Sequence, residues 1–383
     1  MNILLTIHHH LDPNLGAPGS ILNLGQVYQS LGHQVEYFSF NDLPHQLPEM
    51  GKTIVFPEFL ATHLAKSGNS SNLDVIDAST GDAWVWAKFF HRRHQKKPLL
   101  VTHCHGLEHT AYLQRMEEAR RGNLHLSWKY PIYHGGFRLW EVATSLRFAD
   151  LVLMLNRRDA DFTIDTLNVD ANRVRIVANG IPKGFLNLPL EIAQASQDSP
   201  FHIVQIGSYI PRKGIHYSVP ALNAVLTRYP QVKLSFLGTC CPEAQVYTDF
   251  DVAVHDRIQV ISRYPHEDLP GLIKDQHILL FPSLSEGFPL AVPEAMAYGL
   301  VPVVSDIPGA TEIVVHEENG IVLPARDSQA IEQAIERLIC DRLLLSTLRR
   351  NAHITAQNYS WAEVAQTRLS LYQEMLEKRH YSR

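Results

Sequence analysis

Apolar residues fall along this chain in short blocks, and the spacing inside each block changes from strand-like to helix-like and back. Asn2–Ile7 is an almost unbroken apolar run and predicts a buried strand. Ile21, Leu24, Tyr28 and Leu31 then recur at helical spacing, so Ile21–Leu31 predicts a helix that stops at Gly32. Val35–Phe38 reads as the next strand, and further apolar runs at Thr53–Phe56, Leu73–Ile76, Leu99–Thr102, Leu151–Leu155 and Val174–Ala178 predict strands, many of them separated by helical stretches. The polar run Gln194–Ser199 sits inside Leu186–Pro200, which reads as a linker. Beyond it the alternation restarts. Strands are predicted at Phe201–Ile206, Val232–Leu237, Ile258–Ile261, Ile278–Phe281 and Val301–Val304, with helices at Gly214–Arg228 and Leu290–Tyr298. Helices at about Ser328–Leu338, Arg342–Gln357 and Trp361–Lys378 close the chain. Apolar strands alternating with helices predict parallel sheets covered on both faces. The fold class is therefore α/β, two doubly wound domains in tandem facing across a cleft, with ligands at the carboxyl ends of the strands.

Composition narrows this picture a little. The 383 residues suffice for two or three domains of ordinary size, and a hydrophobic share of 45% excludes a largely disordered chain. A formal net charge of -5 supplies no global basic field, so nucleic acid is not an expected partner. Cys104, Cys240, Cys241 and Cys340 form no CxxC pair and read as free thiols in a reducing compartment. The opening apolar run is too short for a signal peptide, and no apolar stretch approaches the ~20 residues of a spanning helix. A cytoplasmic protein is expected, one able to rest peripherally on the inner face of a membrane. The stretch Arg115–Arg138, rich in Arg, Lys, Trp and Tyr, reads either as a solvated helix and loop or as a surface for an anionic lipid-linked acceptor or a membrane.

The segment from Phe281 to Gly299 carries most of the chemistry. It leaves a buried strand and enters a helix, with Glu286 in the loop and Glu294 two turns later. Gly287 lets backbone approach a ligand, and N–H groups near Gly287, Phe288 and Leu290 point out of a helix start that suits phosphate or sugar oxygens. Pro289 precedes that start, and Pro293 is tolerated because it lies in the first turn. Two carboxylates flanking such a loop can accept paired hydroxyls of a ribose or a hexose. A second element, Gly207 to Gly214, ends a strand and delivers Arg212 and Lys213 to a helix start. Cations there oppose the helix dipole and need a reason, which an anionic diphosphate would supply.

The Glu286–Glu294 spacing with its flanks resembles the Glu-x7-Glu signature of retaining glycosyltransferase family 4, whose members have the GT-B fold. Val301-Pro302-Val303-Val304-Ser305-Asp306, Gly309 to Val314 and Asn319-Gly320 resemble the strand and turns that follow it there. The resemblance spans essentially the whole chain and is strongest from Ile203 onward. It implies a Rossmann-like acceptor domain over residues 1–190, a Rossmann-like nucleotide-sugar domain over 191–358, and a terminal helix over 359–383 packing back on the first domain. It implies that Glu286 holds the donor sugar and Glu294 the ribose. Lys213 is implied to stabilise the leaving diphosphate, while Arg263 and Tyr264 lie in a turn at the nucleotide base. The family usually has arginine where this chain has Ser208, and Arg212 is the candidate substitute. Asn179-Gly180 resembles the turn ending the family's first domain.

In the N-terminal half, Gly16 and Gly19 open the first helix, and the resemblance implies that this loop faces donor phosphate and acceptor. His103, His105 and His109 follow a predicted strand. A His-x-His pair alone is a poor metal site without a third ligand, and His103 and His109 read as structural. By resemblance His105 contacts the transferring sugar. Asp159 and Asp161 lie in a helical stretch and read as solvated surface rather than a metal motif, so neither metal nor other cofactor is expected.

The implied activity is retaining transfer of a hexose-type sugar from a nucleotide-sugar, UDP- or GDP-linked, to a glycan or lipid-linked acceptor. Cell-envelope or exopolysaccharide synthesis is the implied setting. The same fold also accommodates a nucleotide-sugar epimerase or a non-catalytic sugar-nucleotide binder. A dinucleotide oxidoreductase needs a Gly-x-Gly-x-x-Gly loop after the first strand, and this chain lacks that spacing.

Overall fold

The computed structural model describes residues 1–66, 72–91, 97–190 and 200–381. It divides into two compact units. One comprises Met1–Tyr112, Leu126–Gly180 and Trp361–Arg383, and the other comprises Leu113–His125 and Ile181–Ser360. The first unit therefore gives way to the second at Gly180 rather than at 190, and residues 113–125 count with the second unit. Within the expected linker 186–200, residues 191–199 lie outside the described residues.

The first unit is a six-stranded sheet in the order β2-β1-β3-β4-β5-β6. Its strands are β1 (Asn2–Ile7), β2 (Gln34–Ser39), β3 (Val75–Ser79), β4 (Leu99–His103), β5 (Leu151–Met154) and β6 (Val174–Ile176). All pairings are parallel. Because successive side chains point to opposite faces, Ile3, Leu5 and Ile7 join one core layer and Leu4 the other. The first layer is covered by helix α1 (Gly16–Ser30) and by the terminal helix Trp361–Tyr381, whose Trp361, Ala365, Leu369 and Tyr372 are buried there. The second layer is covered by helix α2 (Glu49–Ala65) and by Trp86.

Two strand expectations need correction here. Thr53–Phe56 is not a strand but the middle of α2, where Phe56, Leu60 and Leu64 form the buried stripe. Pro57 inside that helix hid its continuity, since an interior proline removes a ladder donor. The run Leu73–Ile76 pairs as β3 over Val75–Ser79, which carries Asp77 and Ser79 into the sheet. Asp159 is also not solvated. It is 2% exposed, its N–H donates to the capping Asn156 side chain, and its carboxylate accepts from Asn156 and Thr110.

The second unit repeats the plan with the order β12-β11-β10-β7-β8-β9. Its strands are β7 (Phe201–Ile206), β8 (Val232–Leu237), β9 (Ile258–Ile261), β10 (Ile278–Phe281), β11 (Val301–Ser305) and β12 (Ile321–Leu323). Ile321–Leu323 is a short edge strand that follows directly on Asn319-Gly320. Helix α3 (Ile215–Arg228) packs its Leu222, Val225 and Leu226 on β7 and β8 in one continuous core. In both units the strand order reverses next to the first strand. β7 lies between β8 and β10, and β1 between β2 and β3, so crevices open at the carboxyl ends of β7/β10 and β1/β3.

Candidate active site

At the β7/β10 crevice the backbone is shaped by glycine. Gly207 ends β7 with φ +123, and a Cβ there would meet Lys213 Cε at 3.1 Å. Gly214 has φ +76, and a Cβ would run into the Pro282 carbonyl, so the turn holding Arg212 and Lys213 lies flat against the exit of β10. The two cations therefore meet the loop after β10. Lys213 Nζ lies 2.7 Å from Glu286 Oε1, and Arg212 Nη1 lies 2.6 Å from the same oxygen and donates to the Ser285 carbonyl at 3.1 Å. The Lys213 ammonium also sits 4.9 Å from the Phe281 ring centroid. Burial works to raise the Glu286 pKa, but Lys213 and Arg212 outweigh it and hold the carboxyl below its ordinary range. Two cations against one carboxylate leave a net positive charge at this crevice.

The next turns complete the wall. Helix α4 (Ala291–Ala297) starts after Leu290, with the Glu294 N–H donating to the Leu290 carbonyl at 3.1 Å and Val292 to Pro289 at 2.9 Å. The N–H groups of Phe288 and Leu290 take no acceptor among the described residues. Gly309, at φ +80, lies so close to the Gly287 carbonyl that any side chain there would collide with it. Phe288 is buried, its ring 5.6 Å from that of Tyr359. Glu294 is buried, and its Oε1 lies 2.9 Å from His266 Nε2. The hydrogen bond to Glu294 raises the His266 pKa, while burial raises that of Glu294. Tyr264 packs by the strand-end Gly238, where an added Cβ would touch its ring at 3.4 Å, and Arg263 is exposed beside it.

In the first unit Gly16 opens α1, and a Cβ on Gly19 would press on the Pro13 carbonyl at 2.8 Å. At the β1/β3 crevice His8 Nδ1 lies 2.6 Å from Asp82 Oδ1, and Thr6 donates to Asp82 Oδ2 at 2.9 Å. Arg138 reaches the same place from another element, with Nη2 3.2 Å from Glu108 Oε1 and 3.4 Å from His8 Nε2. At the end of β4, His103 Nδ1 lies 2.6 Å from the buried Asp77 carboxylate, and His103 Nε2 is 3.1 Å from His105 Nε2. Burial brings the His109 pKa down to about 4; its ring lies 6.0 Å from that of Phe162, and its buried Nδ1 has no hydrogen-bond partner among the described residues. Among the described residues no three His, Cys, Asp or Glu side chains gather as a metal site would require.

Two family models cover the chain in series. One, described as glycosyl transferases group 1, matches residues 191–355, and the other, glycosyltransferase family 4, matches residues 16–184. The chain belongs to the group 1, family 4 glycosyltransferases. This glycosyltransferase also has the GT-B architecture. Sucrose-phosphate synthase from Thermosynechococcus elongatus superposes with a TM-score of 0.77 at 20% identity, covering 98% of this chain and 99% of that one. HepE from Anabaena, solved in complex with UDP-glucose, superposes with a TM-score of 0.69 at 20% identity, covering 99% and 100%. In sequence it is 24% identical over 272 residues to the GDP-mannose:cellobiosyl-diphosphopolyprenol alpha-mannosyltransferase of Xanthomonas campestris, over 70% of this chain and 65% of that protein. An uncharacterized glycosyltransferase of Methanocaldococcus jannaschii is 25% identical over 222 residues, 55% of this chain and 56% of that protein. The matched stretches thus span less than two thirds of these relatives' own lengths.

The structure brings Arg212, Lys213, Glu286, Gly287, Phe288, Pro289 and Leu290 of this glycosyltransferase to one crevice. Glu294 lies in α4 and Tyr264 on the loop after β9, beside them. Sequence reasoning missed three features: the direct pairing of Glu286 with both cations, the His266 partner of Glu294, and the buried partners of Asp77. Lone polar residues between motifs carried no signal for any of them. The one available hint was that the adjacent cations of Arg212 and Lys213 needed an anionic partner.

Proposed function

We propose that this protein is a retaining glycosyltransferase that moves a hexose-type sugar from a nucleoside diphosphate-sugar to a glycan or lipid-linked acceptor. The observation that carries this reading is the convergence of Lys213 and Arg212 on Glu286 at the strand-order reversal of the second unit. A surplus cation beside open backbone N–H groups is a site for a diphosphate, whose negative charge grows as the sugar leaves. Protein cations here take the part that a divalent ion plays elsewhere.

In the reaction the bond from the sugar C1 to the diphosphate oxygen breaks, and a bond from the acceptor hydroxyl oxygen to C1 forms on the same face. The acceptor proton passes to the departing phosphate oxygen. Glu286 holds the donor sugar rather than attacking it, because an ionised carboxylate shared by two cations is a poor nucleophile. Glu294 takes the ribose diol, Tyr264 and Arg263 flank the base, and Gly16, Gly19 and His105 serve the sugar and acceptor side. The donor is a UDP- or GDP-sugar, by analogy with HepE, solved with UDP-glucose, and with the GDP-mannose-dependent mannosyltransferase of Xanthomonas campestris.

A polyprenol-type acceptor would bring the enzyme to the cytoplasmic face of a membrane, and an exposed surface of the first unit suits that. Trp128, Ile132, Phe137 and Trp140 are exposed there, and the Lys88 ammonium lies 4.6 Å over the Trp140 ring.

The test is a thermal-shift panel of UDP-, GDP-, ADP- and dTDP-sugars on the full chain. At least one sugar nucleotide should raise the melting temperature, and Glu294→Ala should reduce that shift. No shift with any of the four, or protection by NADH alone, would overturn the reading.

A further inference from the structure

Behind His105 lies a buried chain of polar groups that the proposed reaction does not by itself require. Asp77 is fully buried in β3. Its Oδ2 accepts from Arg368 Nη1 at 3.1 Å and from the Tyr372 hydroxyl at 2.5 Å, both on the terminal helix of the same unit. Its Oδ1 faces His103 Nδ1 at 2.6 Å. Burial alone would raise the Asp77 pKa, but the Arg368 charge and the hydrogen bonds from His103 and Tyr372 oppose this and hold the carboxyl low, so it stays ionised. An ionised carboxylate can only accept, so the proton on the His103 ring must sit on Nδ1. That leaves His103 Nε2 as an acceptor, because Asp77 and Arg368 already balance and a further buried positive charge has no counter-ion. His103 Nε2 lies 3.1 Å from His105 Nε2 and 3.1 Å from Ser79 Oγ. The Ser79 proton is spent on the Thr6 carbonyl at 2.7 Å, so Ser79 Oγ, 3.2 Å from His105 Nε2, also offers a lone pair. Both neighbours of His105 Nε2 are therefore acceptors.

From this we infer that Asp77 and His103 are positioning residues that lock His105 in the Nε2–H tautomer, so that its Nδ1 is turned out as a bare hydrogen-bond acceptor for a ligand hydroxyl. The inference rests on the proposed function for the identity of the ligand as a sugar. His105 is half-buried, and its Nδ1 takes no partner among the described residues. The polarity has a consequence for recognition. An Nδ1 acceptor selects a sugar carrying a free hydroxyl at that point and disfavours one carrying an ether or a carboxylate there. The logic is that of a carboxylate fixing an imidazole tautomer one bond away from the chemistry.

The experiment reads tautomers directly by side-chain nitrogen NMR on full-length protein labelled with 15N-histidine, without ligand, at pH 7.5. His105→Asn and His103→Asn assign the two signals. The wild type should show the proton on Nδ1 of His103 and on Nε2 of His105. Asp77→Asn presents an amide donor and should reverse both. Because that variant leaves Arg368 buried beside a neutral group, His103→Asn and His103→Gln provide the second arm. His103→Asn keeps a donor for Asp77 but cannot reach His105. It should release the His105 tautomer and lower kcat/KM with UDP-glucose or GDP-mannose, whichever the thermal-shift panel selects, by about tenfold. His103→Gln places its amide where Nε2 stood and should recover most of that loss. A proton found on His105 Nδ1 in the wild type, or a His105 tautomer untouched by His103→Asn, would overturn the inference. Since those spectra need no sugar nucleotide, a failed relay is distinguishable from a failed functional assignment, which would show as no turnover of either donor by the wild type.

Discussion

Lys213 Nζ and Glu286 Oε1, on loops 73 positions apart in sequence, meet at 2.7 Å, and Arg212 shares the same carboxylate oxygen. The pair sits where β7 and β10 run side by side and their connections diverge. Without donor, Glu286 occupies cations that a diphosphate would claim. On the proposed function, a bound nucleoside diphosphate divides the two positive charges between an internal and an incoming anion.

This makes the two partners separable by experiment. Lys213→Ala should lower transfer kcat/KM by about 10²–10³-fold, the loss expected when one group stabilising a developing anion is removed. Glu286→Ala should abolish sugar transfer yet leave UDP or GDP bound as tightly as in the wild type or more tightly. Calorimetric titration with the free nucleotide reads the second effect, and weaker nucleotide binding in Glu286→Ala would contradict the arrangement.

Arg212 and Lys213 share one oxygen of Glu286, while Ser208 holds the position at which the family resemblance implies an arginine. Arg212→Ala should weaken nucleotide diphosphate binding by about tenfold, a charge-assisted contact's worth. Ser208→Arg introduced into that variant should return most of the affinity. Failure of the double variant to bind better than Arg212→Ala would show that the two positions do not serve one phosphate.

His266 and Glu294 give a pH signature. The His266 pKa is raised by its hydrogen bond to Glu294, so the folded state holds the proton more tightly than the unfolded chain. The stabilisation is fully present below about pH 6.5, the unfolded value. It is lost as pH rises through the higher folded value. His266→Ala should accordingly cost on the order of 1 kcal/mol in urea unfolding at pH 6 and less at pH 9. An equal cost at both pH values would remove the ion pair from the account.

Glu141 behaves in the opposite sense to a paired surface carboxylate. Burial raises its pKa to about 7 despite Arg138 Nη1 at 3.3 Å, because that guanidinium also serves Glu108. The folded state binds a proton that the unfolded state has released, so stability falls as pH climbs from about 4.5 to 7. Glu141→Gln removes this slope. Relative to wild type it should gain up to about 3 kcal/mol between pH 4.5 and pH 8, measured by urea unfolding at both ends. A constant difference would refute the burial argument.

Patterning by itself specified the two parallel sheets, because apolar runs bounded by helical repeats leave few other solutions. It also located the acidic loop and the cation turn, since Glu286, Gly287, Glu294, Lys213 and Gly214 are local in sequence and each spacing has a backbone reason. Where local signals conflicted it failed. Pro57 masked the helix that Phe56, Leu60 and Leu64 stabilise from the core. The interior partners were decided only by the tertiary structure. Asp77 in a strand reads as a strand end until Arg368 and Tyr372, nearly three hundred residues later, are folded against it. Likewise Glu286 reads as a free sugar ligand until β7 and β10 lie adjacent and bring Lys213 to it. A buried charge is tolerated only with a partner, and sequence distance carries no trace of which partner the fold will supply.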